Sequence, residues 1–255
     1  MPRFFIRQDQ VEERKIRLWG EDAHHIARSL RMAVGDSLTV CDMQGREYDC
    51  VIKSFLDDRE VILEILQVTQ SDREPKCRIC VFQALPKGDK LDTVIQKAVE
   101  CGVSEIVPFE SERCVVRIKA EAEQRKTERR QKIAAEAAKQ CGRSVIPTVR
   151  SSVSFSEMLS MASSYDLCLF CYEGDGTCPL GEILREERAR LLVCEDRLPS
   201  VAVIIGSEGG FSQKEAEQAK DMGMRSVGLG KRILRTETAS GFVLSCLVYV
   251  TELGG

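Results

Sequence analysis

The sequence predicts an α/β protein in two parts: a small β-barrel over residues 1–72, then a mainly parallel sheet with helices on both faces over residues 73–255. Three observations predict it. Short β-runs separated by turn residues fill residues 1–70. The stretch Gln70-Ser71-Asp72-Arg73-Glu74-Pro75 is polar, contains proline and has no apolar period, which marks a boundary. From Cys77 onward, strand-like and helix-like segments alternate, the pattern of a parallel sheet covered on both sides.

In the first part the β-runs include Ser37–Cys41, Tyr48–Phe55 and Val61–Leu66. Their connectors carry turn chemistry at Val34-Gly35-Asp36, Met43-Gln44-Gly45-Arg46 and Leu56-Asp57-Asp58-Arg59. One helical segment, Glu21–Leu30, interrupts them, and closely spaced strands with one short helix suit a small barrel. In the second part, strands are expected at 77–85, 104–108, 166–172, 201–206 and 224–229. Helices are expected at 89–101, 119–141, 154–162, 212–222 and 237–252. The last helix places Ala239, Phe242, Val243, Cys246, Leu247 and Val250 in one apolar stripe, fit for a sheet or a subunit interface.

Composition narrows the class. Hydrophobic residues at 43% and charged residues at 30% of 255 provide for a core and argue against disorder. No apolar run approaches the ~18 residues of a membrane span. Met1–Ile6 has neither a long apolar stretch nor a small-residue cleavage site, so the expectation is a cytoplasmic protein with no membrane partner. Net charge is −3, yet residues 111–150 carry eleven Lys/Arg against five Asp/Glu. Such a basic stretch suits a phosphate backbone, and equally a solvated helix.

Twelve cysteines raise the question of metal. The two C-x-x-C pairs, Cys77/Cys80 and Cys168/Cys171, fall in β-type runs where residues i and i+3 point to opposite faces. The expectation is therefore reduced, buried thiols and no metal. His24 and His25 are the only histidines, adjacent in a helix, which suits structure better than a hydrolytic triad.

The chemistry concentrates in two glycine-containing loops. Val201–Ile205 reads as a buried strand, Gly206-Ser207-Glu208-Gly209-Gly210 as a sharp turn, and Ser212 with Glu215 as a capping box opening the next helix. Strand, glycine loop and helix make a ligand site at the carboxyl ends of an open sheet, or simply a tight structural turn. The loop matches neither a dinucleotide nor a Walker fingerprint. One helix–strand unit later, Leu229-Gly230 is followed by Lys231, Arg232 and Arg235, three cations in a short loop with apolar flanks. Thr236 or Thr238 is positioned to cap the final helix, with Glu237 in its first turn.

These two segments, Ile205–Ser212 and Leu229–Ala239, resemble the signature of the bacterial 16S ribosomal RNA uridine-N3 methyltransferases, the RsmE family. Lys87–Lys90, Gln96–Arg113, Ala134–Arg143, Arg3-Phe4-Phe5 and His25–Asp36 resemble the family too, so the similarity runs along nearly the whole chain. Ser207 stands where the family usually has proline, and Cys101 where leucine is common.

The resemblance implies a PUA-like RNA-binding barrel joined to a SPOUT domain whose parallel sheet is tied in a trefoil knot. It implies S-adenosylmethionine (SAM) as methyl donor, held by Tyr172, Glu173, Gly206, Ser207, Glu208, Gly209, Gly210, Leu229, Gly230, Ile233 and Leu234. It implies a homodimer acting on 16S rRNA or the small ribosomal subunit, not on DNA. Uracil N3 becomes nucleophilic on losing its proton. Arg232 and Arg235 are the candidates to stabilise that anion, and Glu237 is a candidate proton acceptor or a plain helix cap. Arg3, Arg28, Arg31, Arg113 and Arg143 are candidate phosphate contacts, each also able to serve as a surface ion-pair residue. Other readings stay open: a SPOUT methyltransferase of ribose 2′-O or a tRNA base, a non-catalytic RNA-binding protein, and a nucleotide-phosphate enzyme using the glycine loop.

Overall fold

In the computed structural model, residues 1–57, 59–193 and 197–254 are described. The chain divides into two compact units: Met1–Glu74 with Ala138–Ile146, and Pro75–Ala137 with Pro147–Gly255.

The first unit is a curled, mostly antiparallel sheet of six strands. Its strands are β1 (Arg3–Phe5), β2 (Val11–Glu12), β3 (Lys15–Trp19), β4 (Ser37–Cys41), β5 (Arg46–Asp57) and β6 (Glu60–Gln70), ordered β1-β4-β5-β6-β3-β2. Among its described residues only β1 and β4 run parallel. Three register shifts between β5 and β6 bend the long hairpin, as bulges do. Helix α1 (Glu21–His24) widens into a π turn over His25–Ser29. Alternation dictates the packing: Ile16 and Leu18 of β3 are buried while Lys15, Arg17 and Trp19 face out. Ile16 and Leu18 join Phe4, Ile26, Leu38, Val40, Ile52 and Leu63 in one core. The expected turn at Leu56–Arg59 includes Asp58, which lies outside the described residues.

The second unit holds an eight-stranded, wholly parallel sheet among its described residues. Its strands are β7 (Arg78–Ala84), β8 (Glu105–Glu110), β9 (Thr148–Val149), β10 (Val153–Ser154), β11 (Leu167–Cys171), β12 (Cys178–Pro179), β13 (Ser200–Ile205) and β14 (Arg225–Gly228). The order is β10-β8-β7-β13-β11-β14-β12, with β9 also paired to β8. Every residue of β13 is buried, so both faces of the sheet's centre are covered. The covering helices are α2 (Lys90–Glu100), α3 (Ala120–Cys141), α4 (Phe155–Ala162), α5 (Leu180–Leu192), α6 (Gln213–Asp221) and α7 (Thr236–Thr251). Helix α7 packs against α2, α5 and β13.

The ends of the expected strands and helices of this unit lie within one residue of those observed, except that 104–108 extends two residues further, to Glu110. Helix α5 was not anticipated, because Arg and Glu crowd its sequence and only Leu180, Ile183, Leu184 and Leu191 mark its buried face. The apolar stripe of α7 splits. Ala239, Val243 and Leu247 are buried, Cys246 and Val250 are half-buried, and Phe242 is exposed. Among the described residues no helix is long and apolar enough to cross a membrane, and no cluster of three or more His, Cys, Asp or Glu is arranged to hold a metal. The described cysteines are free.

Candidate active site

At the carboxyl ends of β11, β13 and β14, a cavity of about 920 Å³ opens. Three loops wall it: Tyr172–Gly174 after β11, Gly206–Phe211 after β13, and Leu229–Arg235 after β14. Loops at this end of parallel strands expose backbone groups that no neighbouring strand consumes, which makes the end a binding surface.

The middle loop is fixed from several sides. A Cβ on Gly206 would lie 3.1 Å from the Cα of Gly210, so the tight turn leaves no room for a side chain there. Phe211 drops into the core, 4.3 Å from the Phe170 ring and stacked parallel to Phe109 at 6.2 Å. Ser212 then caps α6 as its sequence predicts: its hydroxyl accepts from the Glu215 amide (3.3 Å), and Glu215 accepts from the Ser212 amide (2.9 Å). The Glu208 carboxylate accepts from Lys90 Nζ (2.7 Å) and from the Lys87 amide (3.1 Å). Burial alone raises the pKa of Glu208, but these donors and its own backbone amide outweigh it and hold the group below the usual carboxylate range. Arg113 donates to the Gly209 carbonyl at 3.1 Å and also lines the cavity.

The third loop turns at Gly230, whose φ of +99° favours a residue without Cβ. Lys231, Arg232 and Arg235 are exposed on the cavity wall, and the Ile233 side chain is 84% exposed among them. The expected threonine cap of α7 is not formed. Arg235 occupies the N-cap position without a side-chain cap bond. Thr236, the first helical residue, instead sends its hydroxyl to the Gly206 carbonyl (2.7 Å) and accepts from Gln83 Nε2 (2.8 Å). The Thr236 hydroxyl, donating to Gly206 O and accepting from Gln83, is engaged away from the helix end and leaves the cap unformed.

Comparison with known proteins follows this geometry. Residues 73–248 match the family model of an RNA methyltransferase domain, and residues 18–66 that of an RNA methyltransferase PUA domain. The chain is 35% identical over 256 residues to the ribosomal RNA small subunit methyltransferase E of Bacillus subtilis, covering 99% of this chain and 98% of the relative. This chain belongs to the ribosomal RNA small subunit methyltransferase E family. Another member, from Aquifex aeolicus, is 30% identical over 80% of this chain and 82% of its own length. The crystal structure of the Neisseria gonorrhoeae member bound to S-adenosyl methionine aligns with a TM-score of 0.82 and 29% identity, covering 98% of each chain.

The structure of this family member brings Tyr172, Glu173, Gly206, Ser207, Glu208, Gly209, Gly210, Leu229, Gly230, Ile233 and Leu234 around one cavity, with Arg232, Arg235 and Arg113. Glu237 is not among the described residues that line it, and its Oε2 is buried without a partner among them. Arg28 and Arg31 are exposed on the first unit. Arg3 and Arg143 point inward instead. Arg3 donates to Glu47 (3.0 Å) and Cys41 Sγ (2.8 Å), and Arg143 pairs with Glu74; their side chains are only 9% and 7% exposed. The sequence showed their charge but not the half-buried carboxylates, Glu47 and Glu74, that take it up. It also gave no sign of Lys90 as a cavity residue, or of Gln83 behind it, because each meets its partner more than a hundred residues away.

Proposed function

We propose that this protein transfers the methyl group of SAM to N3 of a uridine in 16S rRNA of the small ribosomal subunit. The observation that carries the reading is the cavity: three loops at the carboxyl ends of β11, β13 and β14 converge on it, with Arg232 and Arg235 exposed on the wall. Its volume lies within the roughly 300–1,000 Å³ usual for cofactor sites. The residues suit the donor. Gly206 lets the loop turn tightly at the cavity wall, and the Ser207 hydroxyl is buried in the lining without a partner among the described residues. Glu173 on the wall would contribute negative charge favourable to a cationic sulfonium.

SAM held here would supply an electrophilic methyl group, its C–S bond breaking as the C–N bond forms and S-adenosylhomocysteine leaving. Leu229, Gly230 and Leu234 offer backbone groups to adenine, while the glycines of 206–210 give room to the methionine part. Arg232 and Arg235 face O2 and O4 of the uracil, where charge accumulates as N3 loses its proton, and stabilise it as donors of an oxyanion hole do. Glu237 lies off the cavity lining, so the N3 proton is assigned to solvent water rather than to this side chain. Arg113, Arg28 and Arg31 hold the RNA backbone. The barrel over residues 1–72 supplies RNA affinity, and residues 73–255 form the catalytic domain. The strand order, with β13 between β7 and β11 and with β14 beyond β11, supports a knotted path for the final segment. The exposed Phe242 and Tyr249 on α7 support a homodimer, and the protein works in the cytoplasm where ribosomes mature.

Titration calorimetry with SAM and with ATP tests the cavity: SAM binds and ATP does not. Incubation with methyl-labelled SAM and undermodified small subunits, naked 16S rRNA or tRNA then names the substrate. Methylated N3 blocks base pairing, so reverse transcription stops next to the modified uridine. Label on ribose, on tRNA or nowhere would refute the reading.

A further inference from the structure

We infer that Gln83 is a positioning residue that locks the glycine loop to the arginine loop, so that methyl donor and uracil are held in one geometry. The inference rests on the proposed use of the cavity. Gln83 is the next-to-last residue of β7, is fully buried, and is not a lining residue. Its Nε2 donates to Thr236 Oγ1 (2.8 Å), the Gly206 carbonyl (3.3 Å) and the Ala84 carbonyl (3.0 Å). Thr236 in turn donates to the same Gly206 carbonyl at 2.7 Å. One side chain therefore ties together the end of β7, the start of the 206–210 loop, and the first residue of α7, directly after Arg235.

The amide orientation is set by chemistry. Reversing it would turn Oε1 onto the carbonyl oxygens of Ala84 and Gly206, acceptor against acceptor. In the observed orientation Oε1 is buried without a partner among the described residues. A residue kept with an unsatisfied buried oxygen serves its donors rather than its acceptor. Gly206 and Arg235 belong to different loops, both bordering the cavity. Fixing one carbonyl by two mutually bonded donors, one from β7 and one from α7, limits the freedom of either loop to drift from the other, and methyl transfer is sensitive to displacements of this order.

The test uses the full-length protein, S-adenosylhomocysteine (SAH) as probe, and hydrogen–deuterium exchange on the ligand-free protein. Gln83→Met keeps the volume without the donors, and Thr236→Val keeps the shape without the hydroxyl. Each is expected to weaken SAH binding about tenfold, the scale of one lost buried hydrogen bond, and to lower kcat on RNA as well. The double variant is expected to be no worse than either single one, since both break the same link. Thr236→Ser restores most of the affinity lost in Thr236→Val. Ligand-free Gln83→Met exchanges faster in both 206–210 and 231–236.

A merely structural Gln83 would lower the melting temperature with SAH affinity, kcat and loop exchange unchanged, and that result overturns the inference. So does multiplication of the two single effects in the double variant. If the unaltered protein takes up no SAH, the methyl-donor reading falls, and the exchange measurement still decides whether Gln83 couples the loops.

Discussion

Glu74 grips Arg143 and the backbone beside it with both carboxylate oxygens. Oε2 accepts from the Arg143 guanidinium, at 3.1 Å from Nε, while Oε1 accepts from the Ser144 and Val145 amides at 2.9 and 3.1 Å. Both residues belong to the first unit, and the pair fixes the segment Ala138–Ile146 within it. Arg143→Ala leaves a half-buried carboxylate without its cation and is expected to cost about 1–3 kcal/mol. Chemical denaturation measures the loss. A variant with unchanged stability and weakened RNA binding would return Arg143 to the role of phosphate contact.

The same pair makes stability depend on acid. Burial raises the pKa of Glu74, but the Arg143 charge and the Ser144 and Val145 amides outweigh it, and the net shift is downward. Glu105 and Glu123 are lowered similarly against opposing burial, Glu105 by Arg150 and Arg78, Glu123 by Ser152 and Arg130. A carboxylate depressed in the folded state stabilises fully above its unfolded pKa of about 4.3 and loses that contribution as pH falls through the folded value. The melting temperature is thus expected to hold from neutrality to about pH 5 and then to fall. Glu74→Gln lowers stability at pH 7 and flattens the acid limb, as melting curves across pH will read.

Phe211 anchors the glycine loop by burying a ring against Phe170 and Phe109. Phe211→Ala opens a cavity under the loop, with an expected cost of about 3–5 kcal/mol. Because the anchor follows Gly210 directly, SAH affinity falls with stability, whereas Phe155→Ala, at the edge of the same cluster, affects stability more than binding. Parallel melting and calorimetry separate the two.

Arg235→Ala removes a cation from the cavity wall without touching the backbone that would hold adenine. Turnover on small subunits is expected to drop at least a hundredfold, the scale of one lost transition-state donor, with SAM affinity within a few-fold of the unaltered protein. Equal losses in both would move Arg235 from the acceptor to the donor side of the reaction.

If Arg28 and Arg31 contact RNA phosphates as proposed, they do so with release of counterions. Replacing both Arg28 and Arg31 with Ala is expected to reduce the slope of log affinity against log salt by about 1.4, near 0.7 for each single-strand phosphate contact. Filter binding over a salt series reads the slope; an unchanged slope removes both from the interface.

Burial pushes the thiols of Cys50 and Cys77 up to about 12. At pH 8 they are neutral and enclosed, so iodoacetamide is expected to modify them only after denaturation, as mass spectrometry of native and unfolded protein will show.

What could be read in advance divides along physical lines. Local chemistry was visible. The Ser212–Glu215 capping box, the buried run Val201–Ile205 and the glycine loop are properties of neighbouring residues, and all three formed as their spacing requires. Pairing over long distances was not visible. Arg3 and Arg143 looked like surface cations because Glu47 and Glu74 lie far from them in sequence. Thr236 looked like a helix cap because the competing carbonyl of Gly206 lies thirty positions away. Helix α5 was missed because its four buried aliphatic residues are diluted by charge.

The outermost strands of the second unit's sheet, β9 and β10 at one border and β12 at the other, are two residues each. A parallel sheet with a long bare border invites foreign chains to add themselves hydrogen bond by hydrogen bond. Here each border offers too few unpaired amides to nucleate such growth, and Pro179 withholds one of them at the β12 side. The brevity of these strands thus limits strand addition at the borders of this sheet, independently of anything its cavity does.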